Sequence, residues 1–503
     1  MAKSFDIVVG SHYFSVTALS WKAKSCIENF ARRFVEYSFR GGNRTPANYF
    51  ALKSEDGLHH SFLRMVYKDF LNHLTNSNYS RADYDEYIRP LYEAKKVNLP
   101  VRPKWTDKPH QIRLIKYLDA PLPVKKLATL QTGDGKTYSC IKHNSNKGER
   151  YCIIVRPNLM DQWETALTSI YDIEPDRILT VVGGKDLKSM LSDINNDNFD
   201  YDVILISNKT LQVWLKCFEN VGEASLDLGY DILLTDFFQS AKIAERVIDE
   251  VHLDFNFQVR LDCVTHVLRS TSLSATFESD NYFVSKMQKL AYPLDDRYAA
   301  DEYRKYTKSY AVHYSLKRPD LIRTTEFRDT NYSHSAFEGS VMRYVPLLVG
   351  YMKMIKQLID DHFIDIKIPG KKLAIFAARV EMCTHIKNYI KSQYPQYEVE
   401  RYTSDDPEEN ITKADIICTT IGSMGTGTDV PGLVMCILTV AINSSAANKQ
   451  TWGRLRQIPG FDTLFFWLVC DNVPKHLEYK TKKEEIMSKI ALSHTNLYTG
   501  LKL

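Results

Sequence analysis

The sequence predicts an α/β protein in which two parallel-sheet domains in tandem follow a small α+β domain. Two series of short apolar runs support this prediction. The first lies between Trp105 and Thr276 and includes YCIIV and YDVILIS; the second begins after Gly370 and includes KKLAIFAA and VMCILTVAI. Stretches with helical spacing, such as NLMDQWETALTSIY, separate the runs. Strands that are buried on both faces and alternate with helices are typical of parallel sheets.

The N-terminal region fits neither series. It mixes a strand-like start with helical stretches such as WKAKSCIENFARRFVEYSF, and prolines at 90, 100 and 103 mark a linker after it. A chain of 503 residues is also too long for one ordinary core. We therefore predict four segments: an accessory domain at 1–104, a first α/β domain at 105–280, a helical linker at 281–335 and a second α/β domain at 336–503.

Composition narrows the class of protein. Hydrophobic residues make up 44% and charged residues 25%, which is typical of globular chains. The nine cysteines are scattered without a CxxC pair, so the pattern supports neither a zinc site nor a disulfide framework. The longest apolar run, Val434 to Ile442, is far shorter than the ~20 residues that span a bilayer. We expect a soluble, monomeric cytoplasmic protein without a membrane partner.

The stretch LQTGDGKT, at Leu130 to Thr137, has the composition of a phosphate-binding loop. Gly133 and Gly135 would allow a tight turn that aims backbone N–H groups at anionic oxygens. Lys136 would then reach the β- and γ-phosphates, and the Thr137 hydroxyl would bind Mg²⁺. A GTPase or a small-molecule kinase could use the same loop. Asn208-Lys209-Thr210-Leu211 lacks the aspartate of a guanine-reading N-K-x-D motif, however, and a kinase would leave the second domain unexplained.

An acidic pair, Asp249 and Glu250, ends the apolar run in RVIDEVH. A carboxylate at the carboxyl end of a strand can hold Mg²⁺, and its neighbour can orient the attacking water. Alone, such a pair would be read as a solvated surface feature. About a hundred residues after a phosphate loop, it favours nucleotide hydrolysis.

Taken in order, LQTGDGKT, DEVH and LSAT resemble the motifs of superfamily 2 helicases of the DExH kind. That family's first motif reads A-x-T-G-x-G-K-T, so Leu130 replaces an alanine and the loop is otherwise intact. Further segments are similar to the family's other motifs: KPHQIRL, VRPNLMDQW, ISNKTL, IFAARVEMC, CTTIGSMGTGTDVPGL and QTWGRLRQ. The resemblance runs from about Lys108 to Arg456. It implies two RecA-like domains that bind ATP with Mg²⁺ and grip nucleic acid by its phosphates.

Carried over residue by residue, the resemblance implies four sets of site residues. The nucleotide would contact Gln111, Thr132, Gly133, Asp134, Gly135, Lys136, Thr137, Gly427 and Asp429. The metal ligands would be Thr137 and Asp249. Nucleic acid would contact Arg156, Pro157, Ser207, Asn208, Lys209, Arg379 and Thr420. Catalysis would use Lys136, Asp249, Glu250, Gln450, Arg454 and Arg456. The arginines are spaced G-R-x-R where many members of the family have G-R-x-x-R, which leaves open which of them is the arginine finger. We favour Arg456, with Arg454 as the second candidate.

Size and layout further resemble the bacteriophage branch-migration helicases. This resemblance implies an ATP-dependent DNA helicase or translocase for forks and Holliday junctions in recombination, replication and repair, acting in the host-cell cytoplasm. The N-terminal helix near Arg32 and Arg33 would contact duplex arms, or the domain would serve stability alone. The alternatives are a DExH RNA helicase, the motor of a restriction-type system, and a non-catalytic binding protein with a decayed motor.

Overall fold

The computed structural model describes residues 3–40, 43–131, 133–299, 304–326, 331–424 and 430–503. The chain forms two compact units. Unit 1 comprises Met1–Leu130 and Asp134–Ala300, and unit 2 comprises Gln131–Gly133 and Asp301–Leu503.

Unit 1 begins with a small α+β domain. Its strands are β1 Phe5–Val9, β2 Tyr13–Ala18, β3 Val35–Arg40, β4 Asn43–Tyr49, β5 Leu52–Lys53, β6 His59–Leu63 and β7 Tyr84–Ile88. Its α-helices are α1 Trp21–Ala31 and α2 Tyr67–Asn76. Five strands form a sheet in the order β5-β6-β2-β1-β7, and β3 pairs with β4 as a separate antiparallel hairpin. Buried phenylalanines from both helices and the sheet pack against one another in its core, mostly with tilted or edge-to-face rings: Phe14, Phe30, Phe62 and Phe70.

The first parallel domain follows in the same unit. Its strands are β8 Val124–Thr129, β9 Tyr151–Val155, β10 Ile178–Val181, β11 Val203–Ser207, β12 Glu245–Ile248, β13 Arg269–Ser274 and β14 Arg297–Ala299. Its helices are α3 Pro109–Leu118, α4 Lys136–Lys147, α5 Met160–Ile170, α6 Gly184–Asn195, α7 Asn208–Val221, α8 Phe237–Ser240, α9 Phe255–Asp262 and α10 Tyr282–Ala291. All strand pairs are parallel, in the order β10-β11-β9-β12-β13-β8-β14. Every residue of β9 and β11 is buried, since helices cover both faces.

The small domain is anchored to the first parallel domain by buried hydrogen bonds. The backbone N–H of Ser11 donates to His266 Nδ1 at 3.0 Å, and His266 Nε2 donates to the Pro90 carbonyl at 3.0 Å. The Ser11 hydroxyl in turn accepts from the N–H of Val267 at 3.0 Å. Apolar residues of both domains also form one continuous core. The small domain is therefore part of unit 1 rather than a tethered appendage.

Unit 2 contains the second parallel domain. Its strands are β15 Thr307–Ser315, β16 Lys372–Ala377, β17 Val399–Tyr402, β18 Ile416–Thr420, β19 Leu433–Leu438, β20 Thr463–Cys470 and β21 Ser493–Lys502. Its helices are α11 His334–Arg343, α12 Val345–His362, α13 Val380–Gln393, α14 Glu409–Lys413, α15 Ile421–Met424, α16 Ser445–Trp452 and α17 Pro474–Ile490. The parallel sheet has the order β17-β18-β16-β19-β20-β15-β21.

The two parallel sheets have the same strand order. In each, the described strands run third, fourth, second, fifth, sixth, first and seventh along the chain. The predicted fold class, two RecA-like parallel-sheet domains in tandem plus a small α+β N-terminal domain, is confirmed. Within the described ranges, no helix is long and apolar enough to cross a membrane.

The stretch 281–335, which we predicted to be a helical linker, has a different structure. It contains the helix α10, the strand β14, which pairs with β8 at the edge of the first sheet, and β15, which lies inside the second sheet. The sequence signal was weak because β14 has only three residues and β15, TKSYAVHYS, begins with three polar residues and has only a short apolar run. Such strands lack the continuous apolar run that marked the others.

Candidate nucleotide and nucleic-acid site

The glycine-rich loop joins β8 to the N-terminus of α4. Gly133 and Gly135 have φ of 91° and 78°, a region that strains residues with a Cβ. Gly135 is the N-cap of α4, and a Cβ at that position would collide with the amide nitrogen of Gln111. Because glycine has no side chain to cap the helix, the first N–H groups of α4 remain suited to an anion.

The N-terminus of α3 packs against this loop. Gln111 is buried, and its Oε1 accepts from the backbone N–H of Lys108 at 2.9 Å. His110 Nε2 donates to the carbonyl of Asp134 at 3.0 Å, and Lys136 Nζ donates to the carbonyl of Leu130 at 2.9 Å. The predicted nucleotide contacts Gln111, Asp134, Gly135 and Lys136 are thus brought together. Thr132 lies outside the described residues.

Asp249 and Glu250 follow β12 at the same carboxyl edge, with β13 between β12 and β8. Asp249 Oδ2 accepts from the indole N–H of Trp163 at 2.9 Å, and its Oδ1 accepts from the backbone N–H of Glu250 at 2.9 Å. Asp249 is half-buried. Loss of hydration around the carboxylate, together with the negative charge of Glu250, raises the pKa of Asp249 to about 6.

Glu250 has a strained backbone, with φ of 49°. Such a conformation costs a non-glycine residue about 1–3 kcal/mol and is concentrated at functional sites. Its Oε2 lies 3.2 Å from His252 Nδ1, which is also 2.7 Å from the Ser274 hydroxyl at the end of β13. Burial lowers the pKa of His252 to about 4, so the imidazole is neutral at neutral pH. The DEVH segment is thereby connected to the SAT segment.

The donor set suits Mg²⁺. Thr137, in the first turn of α4, offers a hydroxyl oxygen, and Asp249 offers carboxylate oxygens, which hard cations prefer. The described residues contain no group of three or more His, Cys, Asp or Glu side chains that could hold a metal by itself. In proteins Mg²⁺ usually takes one or two protein ligands and completes its coordination with substrate phosphates and water.

The predicted nucleic-acid contacts of unit 1 lie on two neighbouring strands. Arg156 and Pro157 follow β9; Ser207 ends the adjacent strand β11, and Asn208 and Lys209 begin α7. Arg156 Nε and Asn208 Nδ2 both donate to Asp254 Oδ2, at 2.9 and 2.8 Å. Lys209 is exposed and donates to Gln212 Oε1 at 3.1 Å.

Sequence reasoning missed Trp163 and Asp254. Trp163 occupied an apolar position in a helical pattern, which is normally a core position. Asp254 belonged to no motif. Their contacts with Asp249 and Arg156 join positions 86 and 98 residues apart, and a single sequence carries no signal of that proximity.

In unit 2, Arg379 and Thr420 also lie at the ends of adjacent strands, β16 and β18. The Arg379 backbone N–H donates to Glu338 Oε2 at 2.8 Å, and its Nη2 donates to Glu381 at 2.8 Å. The Thr420 hydroxyl is 2.8 Å from that of Ser423. Gly427 and Asp429 lie outside the described residues.

The last motif spans the end of α16 and the following turn. Gln450 is in α16, and the two arginines follow it. Arg454 is 7% exposed, whereas Arg456 is half-buried and donates from Nη1 to the Gly453 carbonyl at 2.6 Å. The two candidate arginines therefore differ in accessibility.

Comparison with known proteins gives structural matches only. No protein-family model and no curated protein matches the chain. The Pyrococcus furiosus Hef helicase domain matches with a TM-score of 0.45 and 11% identity, over 75% of this chain and 98% of that one. Mss116p, with its NTE and C-tail deleted and bound to ssRNA and AMP-PNP, matches with a TM-score of 0.46 and 14% identity, over 76% and 72%.

These values are too low to assign a function. The chain's own topology defines its class: a tandem parallel-sheet α/β protein preceded by a small α+β domain. A glycine-rich loop opens a helix at the carboxyl edge of the first sheet, and a carboxylate pair stands at the same edge.

Proposed function

We propose that this protein is an ATP-dependent superfamily 2 DNA helicase or translocase that acts on branched DNA in recombination, replication and repair. One observation carries the proposal. The glycine-rich loop after β8, the carboxylates after β12 and the candidate phosphate contacts after β9 and β11 share one sheet edge. Ligands of parallel α/β sheets bind at this edge.

Hydrolysis of ATP needs positioning and charge neutralisation more than covalent chemistry. The N–H groups of the loop and Lys136 hold the β- and γ-phosphates. Thr137 and Asp249 would hold Mg²⁺, which when bound would neutralise charge on the phosphate oxygens. Glu250 orients the attacking water, because its carboxylate follows the metal ligand directly. The neutral His252 lies beside Glu250, with 3.2 Å between Nδ1 and Glu250 Oε2, and the same nitrogen is hydrogen-bonded to the Ser274 hydroxyl.

The second domain supplies Gln450 and the arginine finger to the transferring phosphoryl group. The half-buried Arg456 suits this role better than Arg454, which is largely buried. An arginine supplied from a second body is worth about 10³–10⁵ in rate in GTPases. Hydrolysis then depends on domain closure. Successive opening and closing moves Arg156 and Asn208 in unit 1 relative to Arg379 and Thr420 in unit 2.

Features of the small domain support a role on branched DNA. Arg32 and Arg33 are exposed just after α1. In the β3–β4 hairpin, the guanidinium of exposed Arg44 lies 3.8 Å from the ring centroid of Tyr37. Cations interleaved with aromatic rings suit phosphates and unstacked bases. We propose that this domain contacts the arms of a fork or Holliday junction, with the protein working as a cytoplasmic monomer.

The test is steady-state ATP hydrolysis without nucleic acid and then with single-stranded DNA, linear duplex DNA, a four-way junction or double-stranded RNA. We expect the strongest stimulation with the junction. Preference for double-stranded RNA would assign the protein to the RNA helicases, since recognition of the 2′-OH separates the two classes. Absence of stimulation by every nucleic acid would contradict the motor function.

A further inference from the structure

A polar cluster lies at the carboxyl edge of the first sheet, where three neighbouring strands end. β11, β9 and β12 are adjacent, and the chain after each of them contributes Asn208, Arg156 and Asp254 respectively. One carboxylate oxygen, Asp254 Oδ2, accepts from both Arg156 Nε and Asn208 Nδ2. Asp254 stands four residues after Glu250 on the same segment.

Asp254 occupies a capping position, but its side chain does not cap the helix that follows. It is the N-cap residue of α9, where an aspartate normally accepts from the first N–H groups of its own helix and stabilises it. Here the side chain makes no capping hydrogen bond and is turned toward Arg156 and Asn208 instead. Asp254 therefore lacks the capping hydrogen bond and instead contacts residues that follow two other strands of the sheet.

The geometry leaves the arginine able to bind an anion. Arg156 is about 30% exposed, and Asp254 engages it through Nε. A guanidinium carries five N–H donors in a planar fork, so its two Nη groups can still bind a phosphate in bidentate fashion. Asn208 is 4% exposed, and Nδ2 of its amide is held by the same oxygen.

We propose that Asp254 is a positioning residue: it fixes the Arg156 guanidinium and the Asn208 amide in the orientation that receives a backbone phosphate. It thereby links the nucleic-acid grip to the segment that begins at the catalytic carboxylates. This inference rests on the proposed function, in which Arg156 and Asn208 contact nucleic acid.

The sign of the mutational effect tests this role. A carboxylate near a phosphate site repels phosphate, so if Asp254 acted only through its charge, removing it would strengthen binding. A positioning role predicts the opposite. We expect Asp254→Ala to weaken binding of fluorescein-labelled oligothymidine about tenfold, the scale of one charge-assisted hydrogen bond. The salt dependence of binding should fall by about one phosphate contact.

A conservative substitution distinguishes the loss of side-chain positioning from a general loss of folding. Asp254→Asn keeps the size of the side chain and one acceptor oxygen, so it should weaken binding less than Asp254→Ala. In an Arg156→Ala background, Asp254→Ala should cost at most about twofold more, because residues that act through each other are not additive. Unchanged or tighter binding by both Asp254 variants would overturn the inference.

Asp202→Ala is the matched control. Asp202 is paired with Arg177, with 2.7 Å between Oδ1 and Nη2, but it precedes β11 and so lies at the amino edge of the same sheet. Its loss should leave oligothymidine binding unchanged. If Asp202→Ala weakened binding as much as Asp254→Ala, the effect would be general destabilisation and the inference would be wrong.

The single variant Arg156→Ala separates a failure of the proposed phosphate grip from a failure of the positioning role. Unchanged affinity in that variant would refute the proposed phosphate grip itself, whatever Asp254 does. Weaker affinity in Arg156→Ala together with normal affinity in both Asp254 variants would refute only the positioning role.

Discussion

The two parallel domains have the same strand order but very different carboxyl edges. In unit 1 the first strand, β8, leads into LQTGDGKT, and the fifth, β12, leads into DEVH. In unit 2 the corresponding strands, β15 and β19, lead into LKRPD and TVAIN. A glycine-lysine turn and a carboxylate pair are present at these positions in the first domain only.

Under the proposed function, the sheet is a scaffold in both domains and the chemistry resides in the loops after the strands of the first. Two carboxylates, one half-buried and one fully buried, make the same point. Asp249 in unit 1 lies at an edge where substrate can bind. Glu338 in unit 2 is fully buried and accepts from the backbone N–H groups of Ala378 and Arg379, at 2.9 and 2.8 Å. We interpret the first as catalytic and the second as structural.

The largest expected effect is the difference in ATP hydrolysis between two lysine variants, one after the first strand of each sheet. Lys136→Ala should abolish ATP hydrolysis, with a loss of at least about a hundredfold, because the charge that holds the β- and γ-phosphates is gone. Lys317→Ala, after β15, should hydrolyse ATP at the unchanged rate. The measurement is the steady-state ATPase rate with saturating nucleic acid. Equal rates in the two variants would contradict the functional difference between the domains.

The sequence was sufficient to predict both sheets and the motifs at their edges, because buried strands are continuous apolar runs. It failed where strands are short or polar. The chain end, SHTNLYTGLK, forms β21 at the edge of the second sheet, yet its mostly exposed residues give no apolar signal. The shared strand order and the contacts of Trp163 and Asp254 depend on pairings between distant positions, which local patterns do not encode.

A loss confined to turnover is expected from Glu250→Gln. The variant should still bind ATP, because the amide keeps the shape of the side chain and Asp249 is untouched. Turnover should fall about 10²–10³-fold, since an amide cannot accept a proton from the attacking water. Binding of a fluorescent ATP analogue and single-turnover hydrolysis would separate the two steps. Loss of nucleotide binding would argue against the water-orienting role.

Two buried tryptophans of unit 1 allow a matched test of the Asp249 environment. Trp163 donates its indole N–H to Asp249, whereas Trp214 Nε1 has no hydrogen-bond partner among the described residues. Both phenylalanine variants should lose stability by about 1–3 kcal/mol through the cavity they leave. Trp163→Phe alone should raise the Mg²⁺ concentration for half-maximal ATP hydrolysis, by about threefold, because the Asp249 carboxylate loses a donor that orients it. Equal Mg²⁺ dependence in both would contradict this role.

The last expected effect concerns the stability of unit 2 rather than catalysis, and it follows from Glu338. Burial raises the pKa of Glu338 from 4.5 to about 7, although the N–H groups of Ala378 and Arg379 favour its ionised form. Between pH 4.5 and 7 the folded state therefore holds a proton that the unfolded state has lost. The stabilising contribution of this group is fully present below about pH 4.5. It declines as the pH rises and is lost above about pH 7.

Glu338→Gln should remove this decline, because a neutral amide does not titrate. Its baseline stability should be lower, since the amide NH₂ meets one of the two backbone donors that the carboxylate accepts. The informative quantity is the slope of unfolding free energy against pH, measured by urea denaturation of both proteins. Relative to the unchanged protein, the variant should gain stability as the pH rises from about 4.5 to about 7. Parallel pH profiles would mean that Glu338 is already ionised in the fold, held by the N-terminus of α13.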